Sequence, residues 1–390
     1  MRRSLRFTFI IILTLVYLYL VNAQSLATNP PIQETVIAQL GGIRRSPESN
    51  SPGNPTETES PTKVKRPPSD GRVKSGKSYG DPHIITFDGY RYSFQMVGEF
   101  TLVTSKDKKF EVQVRQGAVP KQQLSLNTGV AMKVGNDRVA LYTKEFPDSE
   151  TDTPLRINGK PTKVEDSLSL GGGKITHSGS DYIVQWNTGE KVKIRDITVA
   201  NNQFMNVIPE VPVLSDWYIG LLGNLNGKAD DDLRSRDGNI VPTKNNSTYG
   251  QLNSLLNKSI PIPGVLNQAE TLFFDQLYKE FGNSWRIKQS ESLFDYPQDK
   301  NTESFTKLNF PSSYTALSSF LPPQLRKAND ICRRAGVEAD LLEGCIFDVA
   351  NTGESGFAQA AVDILTDEVK KRVEDEVKKR IPIRIPGFPF

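Results

Sequence analysis

Gly80-Asp81-Pro82-His83-Ile84-Ile85-Thr86-Phe87-Asp88-Gly89, running on into Tyr90-Arg91-Tyr92-Ser93-Phe94, reads as a β-strand, an Asp-Gly turn and a second strand. β-Branched and aromatic residues suit a pleated, half-buried surface, and Asp-Gly supplies the reversal between them. Gly98-Glu99-Phe100 opens a third run, and short apolar or alternating stretches continue from there. Strands are predicted at 84–87, 90–94, 100–104, 110–116, 130–134, 138–142, 174–176, 182–186, 192–197 and 204–208. Turn signals separate them, among them Gly135-Asn136-Asp137, Asn158-Gly159, Ser178-Gly179-Ser180 and Asn187-Thr188-Gly189. Alternation puts Tyr182, Val184 and Trp186 on one face of their strand. Many short strands at near-regular spacing predict a mainly β fold, an antiparallel β-sandwich rather than a βαβ unit.

Outside this region the texture changes. Residues 24–78 are rich in Pro, Ser, Thr, Glu and Lys and poor in aromatic residues, the composition of a disordered stalk. Before them, Arg2, Arg3 and Arg6 precede an apolar run and the small-residue pattern Val21-Asn22-Ala23, so residues 1–23 read as a secretory signal peptide. The run is shorter than the roughly 20 residues that span a bilayer. Cleavage predicts a secreted, extracellular or cell-surface protein with no membrane span; an uncleaved leader would serve as an anchor. Beyond residue 246, helices are predicted at 269–281, 324–335 and 357–380. In the last, Val369, Val373, Val377 and Ile381 fall four apart amid dense charge, predicting a solvated helix that packs along one edge or weakly self-associates. The predicted organisation is 1–23 signal, 24–78 stalk, 79–245 β domain, 246–355 small helical module and 356–390 charged helix with an extended tail.

Lys and Arg number 48 against 45 Asp and Glu, a net charge of +3 and too balanced for a dedicated nucleic-acid binder. The 2 cysteines, Cys332 and Cys345, lie close together in sequence, and in an oxidising compartment they predict one disulfide, with two buried thiols as the alternative. Gly71-Arg72-Val73-Lys74-Ser75-Gly76-Lys77-Ser78 spells the phosphate-binding loop, but its Pro-rich and Gly-Asp-Pro flanks cannot supply the strand and helix that such chemistry needs. The 2 histidines, His83 and His177, have no nearby cysteine or serine elbow, and conventional catalysis is not predicted. Asn245, Asn246 and Asn257 head glycosylation patterns that matter only in a glycosylating host.

A second informative stretch is Gly220-Leu221-Leu222-Gly223-Asn224-Leu225-Asn226-Gly227-Lys228-Ala229-Asp230-Asp231-Asp232. It concentrates oxygen-bearing side chains around a glycine. Calcium takes roughly 6–8 oxygen ligands, and Asn, Asp and backbone carbonyls can provide them. The loop is not an EF-hand, because the position that should carry Glu holds Ser235. On spacing alone, a solvated Asn-Gly turn with a charge run explains it as well.

Taken together, G-D-P-H-I-I-T-F-D-G and the later G-L-L-G-N-L-N-G-K-A-D-D-D resemble the two ends of a von Willebrand factor type D domain. The resemblance covers about residues 79–242 and implies one calcium ion held by Asp88, Asn224, Asn226, the Lys228 carbonyl, Asp231 and Asp232. Leu222 stands where animal modules carry a cysteine, and no cysteine occurs in this region. That departure puts disulfide-linked polymerisation in doubt and is similar to cysteine-poor, microbial members of the family. Segments around Phe281-Gly282-Asn283-Ser284-Trp285 and Cys345-Ile346-Phe347-Asp348-Val349 resemble those that trail these domains, read here as a small helical module closed by Cys332 and Cys345. The resemblance implies an exported structural or adhesive protein with extracellular or cell-surface protein or glycan partners, or with itself as partner. Two other readings follow from it. The G-D-P-H context resembles a self-cleaving site, with Asp81 attacking its own carbonyl, Pro82 as leaving group and His83 moving protons. Some lipid-transport proteins also contain the module, which suggests a carrier of lipid or another small apolar ligand.

Overall fold

The computed structural model describes residues 65–245, 249–257 and 266–380. The predicted signal, most of the predicted stalk, the C-terminal tail and Asn246 lie outside the described residues, as do the side chains of Asn245 and Asn257. Strands occupy β1 Val73–Ser75, β2 Lys77–Tyr79, β3 His83–Ile85, β4 Arg91–Ser93, β5 Gly98–Ser105, β6 Phe110–Ala118, β7 Ser125–Val134, β8 Asp137–Tyr142, β9 Leu155–Ile157, β10 Lys160–Pro161, β11 Ser167–Leu170, β12 Gly173–Ser178, β13 Asp181–Trp186, β14 Lys191–Val199, β15 Asn202–Pro212 and β16 Tyr218–Ile219. They form two antiparallel sheets. The larger runs β11-β12-β13-β14-β15-β2-β3-β4, with β1 also on β15, and the smaller runs β10-β9-β8-β7-β6-β5-β16.

Alternation explains how the sheets face one another. In β13 the buried residues are Tyr182, Val184 and Trp186, the face expected from their spacing. In β14, Val192 and Ile194 point into the core while Lys191, Lys193 and Arg195 stand on the opposite face. Phe110, Val112, Val114, Val130 and Met132 of the smaller sheet join Val184, Trp186, Val192, Ile194 and Val207 of the larger in one core. Phe110 meets Trp186 edge to face at 4.8 Å, and the Trp186 indole donates to the Lys133 carbonyl at 2.7 Å.

The folded region begins earlier than the composition suggests. Residues 73–79, placed at the end of the predicted stalk, are β1 and β2 of the larger sheet. Val73, Lys74 and Ser75 pair with Pro212, Val211 and Glu210, and Gly76 N–H donates to the Pro209 carbonyl. Backbone pairing to β15 holds them, and it needs no apolar periodicity in the side chains. The phosphate-loop letters at 71–78 are therefore these two strands.

Among the described residues, five α-helices, one of them continued by a π-helical turn, follow the sheets. They are α1 Leu252–Asn257, α2 Gln268–Asp275 continued by the π-helical Gln276–Gly282, α3 Pro322–Arg334, and α4 Leu342–Thr352; a further helix, α5 Phe357–Arg380, closes the described chain. Cys332 of α3 and Cys345 of α4 form a disulfide. A second core joins Leu325, Ala328, Ile346, Phe347, Phe357 and Ile364 of these helices to Tyr79, Ile85, Ile197, Val199 and Phe204 on the outer face of the larger sheet. The packing edge of α5 is this N-terminal half. Val369 and Val373, of the predicted valine stripe, are 58% and 57% exposed. No helix among the described residues is long and apolar enough to cross a membrane.

Candidate functional site

The turn after β3 and the loop after β16 meet through Thr86. Its hydroxyl accepts from Tyr90 N–H at 2.8 Å and donates to Asp232 Oδ2 at 2.5 Å, while Phe87 N–H donates to the Leu222 carbonyl at 3.1 Å. Asp232 is fully buried. Gly223 makes this possible, because it holds a φ of +79° and a Cβ there would collide with the Asp232 carboxylate. Burial, then the charges of Asp88 and Asp231, push the Asp232 carboxyl up to about 7 against the Thr86 hydrogen bond. Asp88 Oδ2 is buried without a hydrogen-bond partner.

The remaining loop residues are arranged differently. Asp231 receives the Asn226 amide at 3.0 and 3.2 Å, the Asn224 amide at 3.4 Å and the Arg234 guanidinium at 2.8 Å. Burial pushes Asp231 up, but Arg234 and the two amides outweigh it and hold this carboxyl below the usual range. The Asn224 and Asn226 amide oxygens accept from the Asn226 and Lys228 backbone N–H groups at 3.3 and 2.8 Å, so the loop is a succession of side-chain-capped turns. Among the described residues no three His, Cys, Asp or Glu side chains stand together as a ready metal-holding group. The fold thus brings Asp88 to the closing loop beside Asp232, and turns Asp231 toward Arg234.

Asp81 and Pro82 occupy the tight turn between β2 and β3, and both are buried with His83. His83 Nε2 lies 2.5 Å from Asp348 Oδ1 of α4, and its Nδ1 lies 2.5 Å from the Tyr249 hydroxyl and 3.2 Å from Ser93 Oγ. Burial pushes His83 down to about 4 and Asp348 well up, so the pair keeps its shared proton on the carboxyl and the imidazole neutral. Burial, reinforced by the neighbouring Asp348, also raises Asp81. Gly344 lets α4 come this close: a Cβ there would strike the Tyr79 hydroxyl and crowd the His83 ring. His177 is elsewhere, in β12, its Nδ1 at 3.0 Å from the Val164 carbonyl and its ring stacked on Tyr182.

Residues 76–239, bounded by these two features, match the family model of the von Willebrand factor type D domain. This chain carries a type D domain. It is 24% identical to mucin-4 of Homo sapiens over 305 residues, covering 76% of this chain and 5% of that protein. It is likewise 24% identical to Sushi domain-containing protein 2 of Homo sapiens over 306 residues, covering 74% of this chain and 31% of that one. With SCO-spondin of Rattus norvegicus the identity is 24% over 188 residues, 48% of this chain and 3% of that protein. The chain therefore spans less than a third of the length of each of these relatives. The first two similarities are each longer than the type D domain itself.

Several residues of the two sites escaped sequence reasoning. Thr86 and Arg234 carry no motif of their own. Asp348 and Tyr249 lie outside the type D domain, and only the fold brings them to His83. One signal for Asp348 was present: a single carboxylate within the apolar run Cys345-Ile346-Phe347-Asp348-Val349 needs a buried partner.

Proposed function

We propose that this chain is an extracellular structural or adhesive protein whose type D domain is stiffened by one calcium ion. Like its mucin and SCO-spondin relatives it is secreted or otherwise extracellular. The observation that carries the calcium reading is the meeting of Asp88 with Asp232 across the two ends of the domain. One buried Asp88 oxygen has no partner, and Asp232 resists ionisation first through burial and then through the charges of Asp88 and Asp231, a setting that a cation would relieve. Asp88 and Asp232 would be the first ligands, with the Asn224 and Asn226 amide oxygens, the Lys228 carbonyl and Asp231 completing an oxygen set of the kind calcium takes. Asp231 would exchange Arg234 for the ion, and the amides would turn their oxygens inward. The bound ion supplies charge neutralisation and a cross-link between the first strands and the closing loop. A rigid domain then presents its exposed surface to protein or glycan partners outside the cell, or to a second copy. Thermal melting with calcium and with a chelator tests this. Calcium is expected to raise the melting temperature by several degrees, and Asp88→Ala to abolish the response. An unchanged melting curve overturns it. The carrier reading receives no such support, since side chains fill the space between the sheets.

A second reading is favoured by one observation: the Asp81-Pro82 bond lies in a buried turn together with His83 and Asp348. Three ionisable groups withdrawn from water around an acid-labile bond suit self-processing, in which the Asp81 carboxyl displaces the Pro82 nitrogen.

A further inference from the structure

The Asp81-Pro82 turn is covered by a helix from outside the matched domain. Asp348 of α4 contacts the His83 ring through Oδ1, and its carboxyl acts on the Asp81 turn at close range. It therefore stands beside both the residue that would attack and the residue that would move the proton. On the far side of the ring the Tyr249 hydroxyl, also outside the domain, fixes Nδ1. The Asp81 carboxyl is barely held: one oxygen lies 3.4 Å from the Asn351 amide, and the other is buried with no hydrogen-bond partner. A buried oxygen left without a partner is costly, and here it belongs to the group best placed to attack the neighbouring peptide carbon.

We propose that Asp348 is a positioning residue for scission of the Asp81-Pro82 bond, so that the site is complete only when the helices have docked on the type D domain. The proposal rests on the self-processing reading above. In the step it assists, a carboxyl oxygen of Asp81 bonds to the Asp81 main-chain carbonyl carbon and closes a cyclic anhydride. The bond from that carbon to the Pro82 nitrogen breaks, and its electron pair stays on nitrogen. The proton given up by the attacking carboxyl passes through the His83–Asp348 pair to that nitrogen. Water then opens the anhydride, leaving Asp81 as a new carboxyl terminus and Pro82 as a new amino terminus.

The groups facing His83 are Asp81 in the turn, Tyr79 on β2, Ser93 on β4, Tyr249 before α1, and Asp348 on α4, with Phe347 against the ring. Arg91, Glu343 and Asp340 act from farther round through the neighbouring tyrosines. Asp348 contributes the carboxyl in direct contact with Nε2, so replacing it with an amide breaks the proton path between the ring and that oxygen.

The test incubates the full mature chain from about pH 4 to about pH 8 and follows, by reducing gel and mass spectrometry, a fragment that begins at Pro82. The wild-type chain is expected to yield it. Asp348→Asn keeps the shape of the side chain and is expected to slow its appearance roughly 10- to 100-fold and to displace the rate profile along the pH axis. Circular dichroism establishes that the variant is folded. A folded Asp348→Asn with the wild-type rate and profile overturns the role of Asp348 while leaving self-scission standing. A wild-type chain that stays whole at every pH removes self-scission itself, and this inference with it. If Asp348→Asn does not fold, Tyr249→Phe reports on the same ring from its other nitrogen. A displaced pH profile in that variant supports the proposal, and an unchanged one overturns it.

Discussion

At Asp232, burial and two neighbouring carboxylates oppose ionisation while the Thr86 hydroxyl favours it, and the balance leaves the group at about 7. A carboxyl raised in the folded state binds its proton more tightly there than in the unfolded chain. Stability without calcium should therefore fall as the pH rises from the ordinary carboxylate range through about 7, by at most ~4 kcal/mol. Calorimetry across that range in chelator checks the slope. Asp232→Asn should flatten it, and should also remove the gain from calcium, because a neutral amide no longer calls for a cation. Much of this candidate site could be read in the sequence, since Asp-Gly and Asn-Leu-Asn-Gly announce turns, and turns concentrate oxygen donors. What could not be read was which donor faces which neighbour. Arg234 sits only three positions from Asp231 and takes it, whereas Asp88 reaches the loop only because β3 and β4 carry it there.

Helix α5 shows how one element can be anchored by a different face from the one its spacing advertises. Phe357 stacks on Phe204 at 5.5 Å, and Ala358, Ala361 and Ile364 are buried with it. Farther along, Asp363 and Asp367 meet Arg195 and Lys193 of β14, and Glu368 meets Lys77 of β2. Those ion pairs are partly exposed, so the apolar end should dominate the docking energy. Phe357→Ala is expected to cost about 3 kcal/mol, against less than about 0.5 kcal/mol for the exposed replacements Val369→Lys and Val373→Lys. Thermal melting of the three variants checks the contrast. The same logic explains which elements were legible. Strands such as β13 alternate because one face is buried, and they were found. Strands β9, β10, β11 and β16 are two to four residues long, with too few positions to establish a period. Helix α4 is buried at nearly every position from Leu342 to Val349, so it has no polar face against which an apolar stripe could stand out.

Across the whole molecule the type D domain and the helices share a core, and neither surface is finished without the other. Tyr79, Ile85, Ile197, Val199 and Phe204 are buried, yet their covering comes from Leu325, Ile346, Phe347, Phe357 and their neighbours. His83 is held between its own domain and Asp348, and the Glu343 carboxylate takes the Gly250 N–H and the Arg91 side chain. The matches to mucin-4 and Sushi domain-containing protein 2 run over 305 and 306 residues, longer than the type D domain at 76–239. A chain ending at residue 245 should accordingly expose a contiguous apolar face on the outside of the larger sheet. It is expected to bind a hydrophobic dye, to self-associate and to melt well below the full chain, which should unfold in a single transition because the shared core couples its parts. Dye fluorescence, light scattering and calorimetry on the two chains decide the matter. A truncated chain that stays monomeric, leaves the dye dark and melts with the full protein would mean that the sheets are self-sufficient and the helices an appendage.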